Sequence, residues 1–186
     1  MDDKLRIHKA IEFATIKHAN QFRKGTKIPY IVHPFEVAQI LTENGCSADV
    51  IIAGLLHDTI EDADVKISEI EQEFGEEVAV LVGHESEDKS KTWEERKRAT
   101  IDELGSCDDD VAMCTLADKL SNLRSIHFDI TRGEDVWKRF NRPRKDEEWY
   151  YTSIAKATAR LSKTKLWQEY SALLCVVFPN YKQNID

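Results

Sequence analysis

Residues 50–62 read VIIAGLLHDTIED. An apolar run from Val50 to Leu56 leads directly into His57, Asp58, Glu61 and Asp62. Isolated charges are costly to bury, so a hydrophobic element aimed at a histidine and three carboxylates needs a reason. Ser47 can cap a helix that runs on to about Ile60. At 3.6 residues per turn His57 and Glu61 share a face, as do Asp58 and Asp62, which gathers all four near the C-terminal end. The helix dipole disfavours carboxylates there. A bound cation reverses that penalty, so a metal site accounts for the stretch better than a solvated surface does.

The rest of the chain is also helical in pattern. Seven glycines and four prolines in 186 residues are few, and strand-like alternation is nearly absent. A first helix is expected over about Lys4 to Gln21, with Ile7, Ile11, Ala14 and His18 along one face. A second starts near His33, with Pro34 in its first turn, and stops near Gly45. Ser68 with Glu71 reads as a capping box for a helix interrupted near Gly75 and resumed to about Gly83. Thr92 with Glu95 reads as another, opening a helix to about Leu104. One long helix follows from about Asp109 to His127. Two terminal helices are expected over about Asp146 to Leu161 and Lys165 to Phe178. Residues 128–145 are polar and carry no clear pattern. The expectation is one all-α domain over residues 1–186.

Composition narrows the class. Hydrophobic residues make up 41% and charged residues 32% of the chain, the balance of a soluble globular protein. The net charge of −8 argues against a nucleic-acid surface, which needs a basic face. No stretch approaches the roughly 18 apolar residues of a membrane span. Cys46, Cys107, Cys114 and Cys175 are scattered without a CxxC pair, as expected of free thiols in a reducing cytoplasm.

Two further positions join the His57–Asp58 pair. His33 opens a helix after the aromatic and apolar lead Pro29–Val32. Asp118 sits inside the apolar stripe of the long helix, where a carboxylate needs a partner: Lys119, Arg124 or a metal. His33, His57, Asp58 and Asp118 together supply two imidazoles and two carboxylates. That mixture suits manganese, iron or zinc and leaves coordination positions open.

A histidine, a later His-Asp pair and a still later aspartate resemble the HD superfamily of metal-dependent phosphohydrolases. The segments RKGTKIPYIVHP (23–34), GLLHDTIED (54–62), EFGEEVAVLV (73–82) and LADKLSNLR (116–124) resemble the hydrolase domain of RelA/SpoT homologues, in its small alarmone hydrolase form, similar to the metazoan SpoT homologue. The resemblance spans roughly residues 5–127. It implies a single-domain HD-type helical bundle with a central metal site and no synthetase activity. It implies metal ligation by His33, His57, Asp58 and Asp118, usually to manganese. Glu61 and Asp62 match the family's catalytic acidic pair. Arg23 and Lys24 match the pair that holds the nucleotide, and Asn122 the asparagine that touches ribose or base. Tyr150 is a further candidate for lining the pocket. Ser121 departs from the family pattern, where histidine or tyrosine is usual. The implied reaction removes the 3′-pyrophosphate from ppGpp or pppGpp. The alternatives are an HD-type nucleotide phosphatase acting on the 2′-phosphate of NADPH or on nucleoside monophosphates, and a low-turnover alarmone sensor. The expected partner is a small nucleotide, with no nucleic acid and no membrane.

Overall fold

The apolar run at residues 50–56 becomes the centre of the molecule. In the computed structural model, which describes residues 2–179 and 181, it forms helix α3 (Ala48–Leu56), with every residue from Val50 to Leu56 buried. Ser47 Oγ accepts the Val50 amide and starts it. Four helices pack around α3: α1 (Asp3–Lys17), α2 (Val32–Glu43), α6 (Glu76–His84) and α8 (Asp109–Thr131). A one-turn helix α4 (Thr59–Asp62) and helix α5 (Ile67–Phe74) link α3 to α6. Helix α7 (Trp93–Leu104) packs on α9 (Arg144–Ala157), and α10 (Lys165–Val177) packs along α8. No strand occurs among the described residues. An isolated bridge between Phe22 and Pro29 closes the loop ahead of α2.

Several local expectations hold. Gly75, at φ 99°, separates α5 from α6, a conformation that costs glycine little. Thr92 and Glu95 form the reciprocal capping box of α7. Others differ. Helix α1 ends at Lys17, short of Gln21, and His18 turns inward so that its Nδ1 meets Gln21 Oε1 at 2.7 Å. Ser68 and Glu71 form no capping box, because α5 already begins at Ile67 with extended Lys66 ahead of it. Helix α8 runs to Thr131, beyond His127. The segment after it is ordered by aromatic packing: Trp137, in a short 3-10 turn (Val136–Arg139), sits 5.6 Å from Phe140 and 5.5 Å from Phe178 between ring centroids.

The most consequential difference lies at His57 and Asp58. Helix α3 stops at Leu56 instead of running to Ile60. His57 Nδ1 donates to Gly54 O at 2.9 Å and Thr59 Oγ1 donates to Leu56 O at 2.7 Å. A continued helix would give those carbonyls to the Asp58 and Ile60 amides, and side-chain donors compete with that ladder. Glu61 and Asp62 therefore reach the site from a separate turn.

Gly54 sets the spacing between α2 and α3. A Cβ there would lie 2.5 Å from Leu41 Cδ1 and 3.1 Å from Val37 Cγ1. Leu41 is fully buried, so its side chain or the helix that carries it must shift. Gly54→Ala is therefore expected to destabilise the fold by about 1–3 kcal/mol, the usual cost of overpacking. It should also push His33 away from His57. Thermal melting together with Mn²⁺ titration checks both; a variant with unchanged melting temperature would contradict the packing argument.

Candidate metal centre

The turn after α3 and the first turn of α2 face each other. His33 and His57 are 2% and 3% exposed, with ring centroids 5.1 Å apart. Ligand atoms of His33, His57 and Asp58 all lie within 4.8 Å of one another. His57 Nε2 is 2.8 Å from Asp58 Oδ2, and His33 Nε2 is 3.7 Å from the same oxygen. Asp118 enters from α8, with Oδ1 3.0 Å from His33 Nε2 and 3.8 Å from His57 Nε2. The four residues thus meet in three dimensions from three elements.

The far sides of both rings are committed. Gly54 O can only accept, so His57 Nδ1 carries a proton. Ser121 Oγ donates to Glu36 Oε2 at 2.7 Å, so toward His33 Nδ1, 2.8 Å away, it accepts. Each neutral imidazole therefore presents an Nε2 lone pair to the carboxylates. His57 Nε2 is buried and makes no hydrogen bond, although Asp58 Oδ2 lies 2.8 Å away. Lone pairs turned toward carboxylates repel one another unless a cation stands between them. Two imidazole nitrogens, one of them buried without a hydrogen bond, and two carboxylates fit a divalent metal ion.

The electrostatics carry the same demand for positive charge. Burial disfavours the His57 cation, yet Asp58 and Asp118 overcome it and raise the imidazole to about 10. For His33, burial prevails over Asp118 and lowers it. Burial also pushes Asp58 and Asp118 upward. Opposing it, His57 and His33 hold Asp58 well below the usual carboxylate range, and Lys119 with the histidines does so for Asp118. Without metal, a proton on His57 takes the place of the cation.

The acidic pair lies at the rim. Glu61 Oε1 accepts the Glu87 amide at 2.5 Å, and Lys89 Nζ donates to Glu61 O at 2.7 Å. Lys89 Nζ is also 3.9 Å from Asp62 Oδ1. Burial raises both carboxyls, and for Asp62 the Asp58 charge adds to it. Glu87 is itself held by Arg96 Nη1 and Lys97 Nζ, each at 2.6 Å.

Asn122 Nδ2 donates to Asp118 Oδ1 at 2.7 Å, and its Oδ1 accepts from Arg23 Nη2 at 2.8 Å. Arg23 lies over the Tyr30 ring, 5.7 Å from its centroid. Lys24 Nζ donates to Asn141 Oδ1 at 3.2 Å. Neither Arg23 nor Lys24 forms an ion pair among the described residues. Both line a cavity of about 220 Å³ with Tyr30, Asn122, Arg139 and Tyr151. A larger depression of about 680 Å³ lies outside, between α8 and α10, and holds none of the four converging residues.

Tyr150 does not line the Arg23 cavity; its neighbour Tyr151 does. Tyr150 is buried, with Lys97 Nζ 4.7 Å and Lys119 Nζ 5.8 Å from its ring centroid. Sequence reasoning also missed Tyr30, whose hydroxyl donates to Asp58 Oδ2 at 2.5 Å. Its position three residues before His33, at the mouth of the same helix, was the available signal.

The HD-domain family profile matches residues 10–140. The chain belongs to the HD-domain family. This HD domain is 42% identical over 127 residues to the Xenopus tropicalis guanosine-3′,5′-bis(diphosphate) 3′-pyrophosphohydrolase MESH1, covering 67% of this chain and 71% of that protein. It is 40% identical over 125 residues to the Homo sapiens protein of the same name, covering 66% and 70%. The Aquifex aeolicus guanosine-3′,5′-bis(diphosphate) 3′-pyrophosphohydrolase is 43% identical over 125 residues, 18% of its length. Among solved structures, lmo0812 from Listeria monocytogenes EGD-e superposes with a TM-score of 0.75 at 34% identity, covering 79% of this chain and 99% of that one. A metazoan orthologue of SpoT, described as hydrolysing ppGpp, also gives 0.75, at 28% identity, covering 90% and 93%. No described helix of this HD domain is long and apolar enough to cross a membrane.

Proposed function

We propose that this chain is a metal-dependent 3′-pyrophosphohydrolase of ppGpp and pppGpp, releasing GDP or GTP and pyrophosphate. The observation that carries the reading is the pair of histidines whose Nδ1 atoms are engaged elsewhere while both Nε2 atoms face Asp58 and Asp118. The relatives' names supply the substrate.

His33, His57, Asp58 and Asp118 hold the cation, which we assign as Mn²⁺. When bound, the metal acidifies water and offsets phosphate charge. Glu61 and Asp62 orient the attacking water and move its proton, and burial raises both above the ordinary carboxylate value. Arg23 and Lys24, which form no ion pair among the described residues and line the adjoining cavity, meet the phosphates; the Arg23 guanidinium suits both phosphate and a stacked base. Asn122 ties Arg23 to Asp118, so that nucleotide and metal sites share one support, and it contacts the ribose or base. Tyr150 acts from behind, carrying Lys119 on its ring. The described residues form one HD-type domain, a reading supported by the packing of α10 along α8; the remainder of the expected 1–186 span lies outside the described residues. The net charge of −8 and four free thiols support a cytoplasmic protein that binds neither nucleic acid nor membrane.

The deciding experiment is a product assay with ppGpp after chelation and after Mn²⁺ is restored. Pyrophosphate and GDP are expected only with metal. NADPH and nucleoside monophosphates, run side by side, are expected to turn over more slowly. Faster release of phosphate from either would replace the alarmone as substrate, and tight ppGpp binding without product would make the protein a sensor.

A further inference from the structure

We infer that Ser121 and Glu36 form a positioning relay that holds His33 in the tautomer a metal requires. This rests on the metal-site reading above. Ser121 belongs to the LADKLSNLR segment at residues 116–124. It is 1% exposed and lies on α8, directly behind the His33 ring.

The direction of the relay follows from proton counting. A serine hydroxyl has one proton. Ser121 gives it to Glu36 Oε2 at 2.7 Å, which leaves Ser121 Oγ as the acceptor for His33 Nδ1–H at 2.8 Å. His33 Nε2 is then free of its proton in the neutral ring and faces Asp118 and Asp58. Glu36 is fixed in turn: its Oε1 accepts from Arg124 Nη1 at 3.2 Å, and Arg124 Nε donates to Glu169 Oε1 on α10 at 2.8 Å. The chain of contacts therefore runs from α10 through α8 and α2 to the ring of His33. A carboxylate acting through a hydroxyl makes the imidazole a better donor to a cation and locks its rotation. Among the described residues His57 has only a backbone carbonyl behind it, so the two histidines are supported unequally.

The test is Mn²⁺ affinity by calorimetry on chelator-stripped protein, with His33 followed by long-range ¹H–¹⁵N correlation in the Zn²⁺-loaded form. Ser121→Ala is expected to weaken Mn²⁺ by about 10–100-fold, the range for lost supports of ligating histidines, and to speed exchange of the His33 Nδ1 proton. Glu36→Gln is expected to weaken it less, since the amide oxygen still accepts from Ser121. Ser121→Thr keeps the hydroxyl at a position that lines a cavity of about 110 Å³; it should bind Mn²⁺ more tightly than Ser121→Ala. Should Ser121→Ala fail to fold, Glu36→Ala decides, because Glu36 is only partly buried and its removal takes away the acceptor of the Ser121 proton. Wild-type affinity and an unchanged Nδ1 proton in both variants, beside a His33→Ala protein that has lost metal, would overturn the relay alone. Normal metal binding by His33→Ala would overturn the relay and the metal site together.

Discussion

Exchanging His57 for alanine is expected to abolish stoichiometric Mn²⁺ binding and to lower ppGpp hydrolysis by about 10³-fold or more. A metal centre contributes several kcal/mol of transition-state stabilisation, and each 1.36 kcal/mol is tenfold in rate; about 4 kcal/mol gives that factor. The same exchange changes the pH dependence of the metal-free protein, and the sign can be worked out. Burial lowers the His57 pKa, but the Asp58 and Asp118 charges outweigh it and raise it to about 10, against roughly 6.5 in an unfolded chain. A raised histidine contributes stability that is fully present below about 6.5 and is lost as pH rises toward 10. Chelated wild-type protein should therefore melt progressively lower from pH 6.5 to 10. The Mn²⁺-loaded protein should not follow it, because the metal supplies the charge that the proton otherwise gives. His57→Ala should lack that dependence altogether. On the acid side Asp58 and Asp118, held low by their cationic neighbours, lose their contribution as pH falls below the usual carboxylate range. Calorimetric melting of the three samples across pH, with metal content measured on each, makes the comparison. A His57→Ala protein that retains one metal and full turnover would refute the centre.

Much of this arrangement was legible in the sequence because it depends on residue type and on local chemistry. The apolar run before His57 could only be a buried helix, and Ser47, Gly75 and the Thr92–Glu95 pair mark boundaries through short-range hydrogen bonds or backbone conformation. The four converging residues stood out because histidines and carboxylates inside apolar segments need partners. What escaped is tertiary. The break at His57 arises because two side chains seize the carbonyls of Gly54 and Leu56, a competition that periodicity does not register. Tyr150 and Tyr151 are neighbours in an aromatic stretch, and only the packing of α9 on α7 decides which one faces the Arg23 cavity. Glu36 and Ser121 are 85 residues apart and polar in ways that look unrelated until α2 lies against α8. Glu87 sits in a polar loop whose fixed course depends on Arg96 and Lys97.

Glu61→Gln and Asp62→Asn are expected to act differently from any change among the four converging residues: each should keep the metal and lower turnover by about 10²-fold, the lower end of acid–base contributions. The geometry explains the separation. Both carboxyls project from α4, beyond the turn that carries His57 and Asp58. Glu61 is the more constrained, its Oε1 fixed by the Glu87 amide while Glu87 is clamped to α7. Asp62 is more open and feels Asp58 directly. Burial raises both, so protonation begins closer to neutral pH than for a free carboxylate. A base must be ionised, so its share of the rate falls as pH drops through its raised pKa. An acid must be protonated, so its share falls as pH rises. The amide that removes the acid-side limb of the kcat profile therefore identifies the base, and the other residue is the proton donor. Two bound-metal measurements and two pH–rate profiles at saturating Mn²⁺ suffice. If either variant loses its metal yet regains full turnover when the ion is supplied in excess, that carboxylate supports the cation and takes no part in proton transfer.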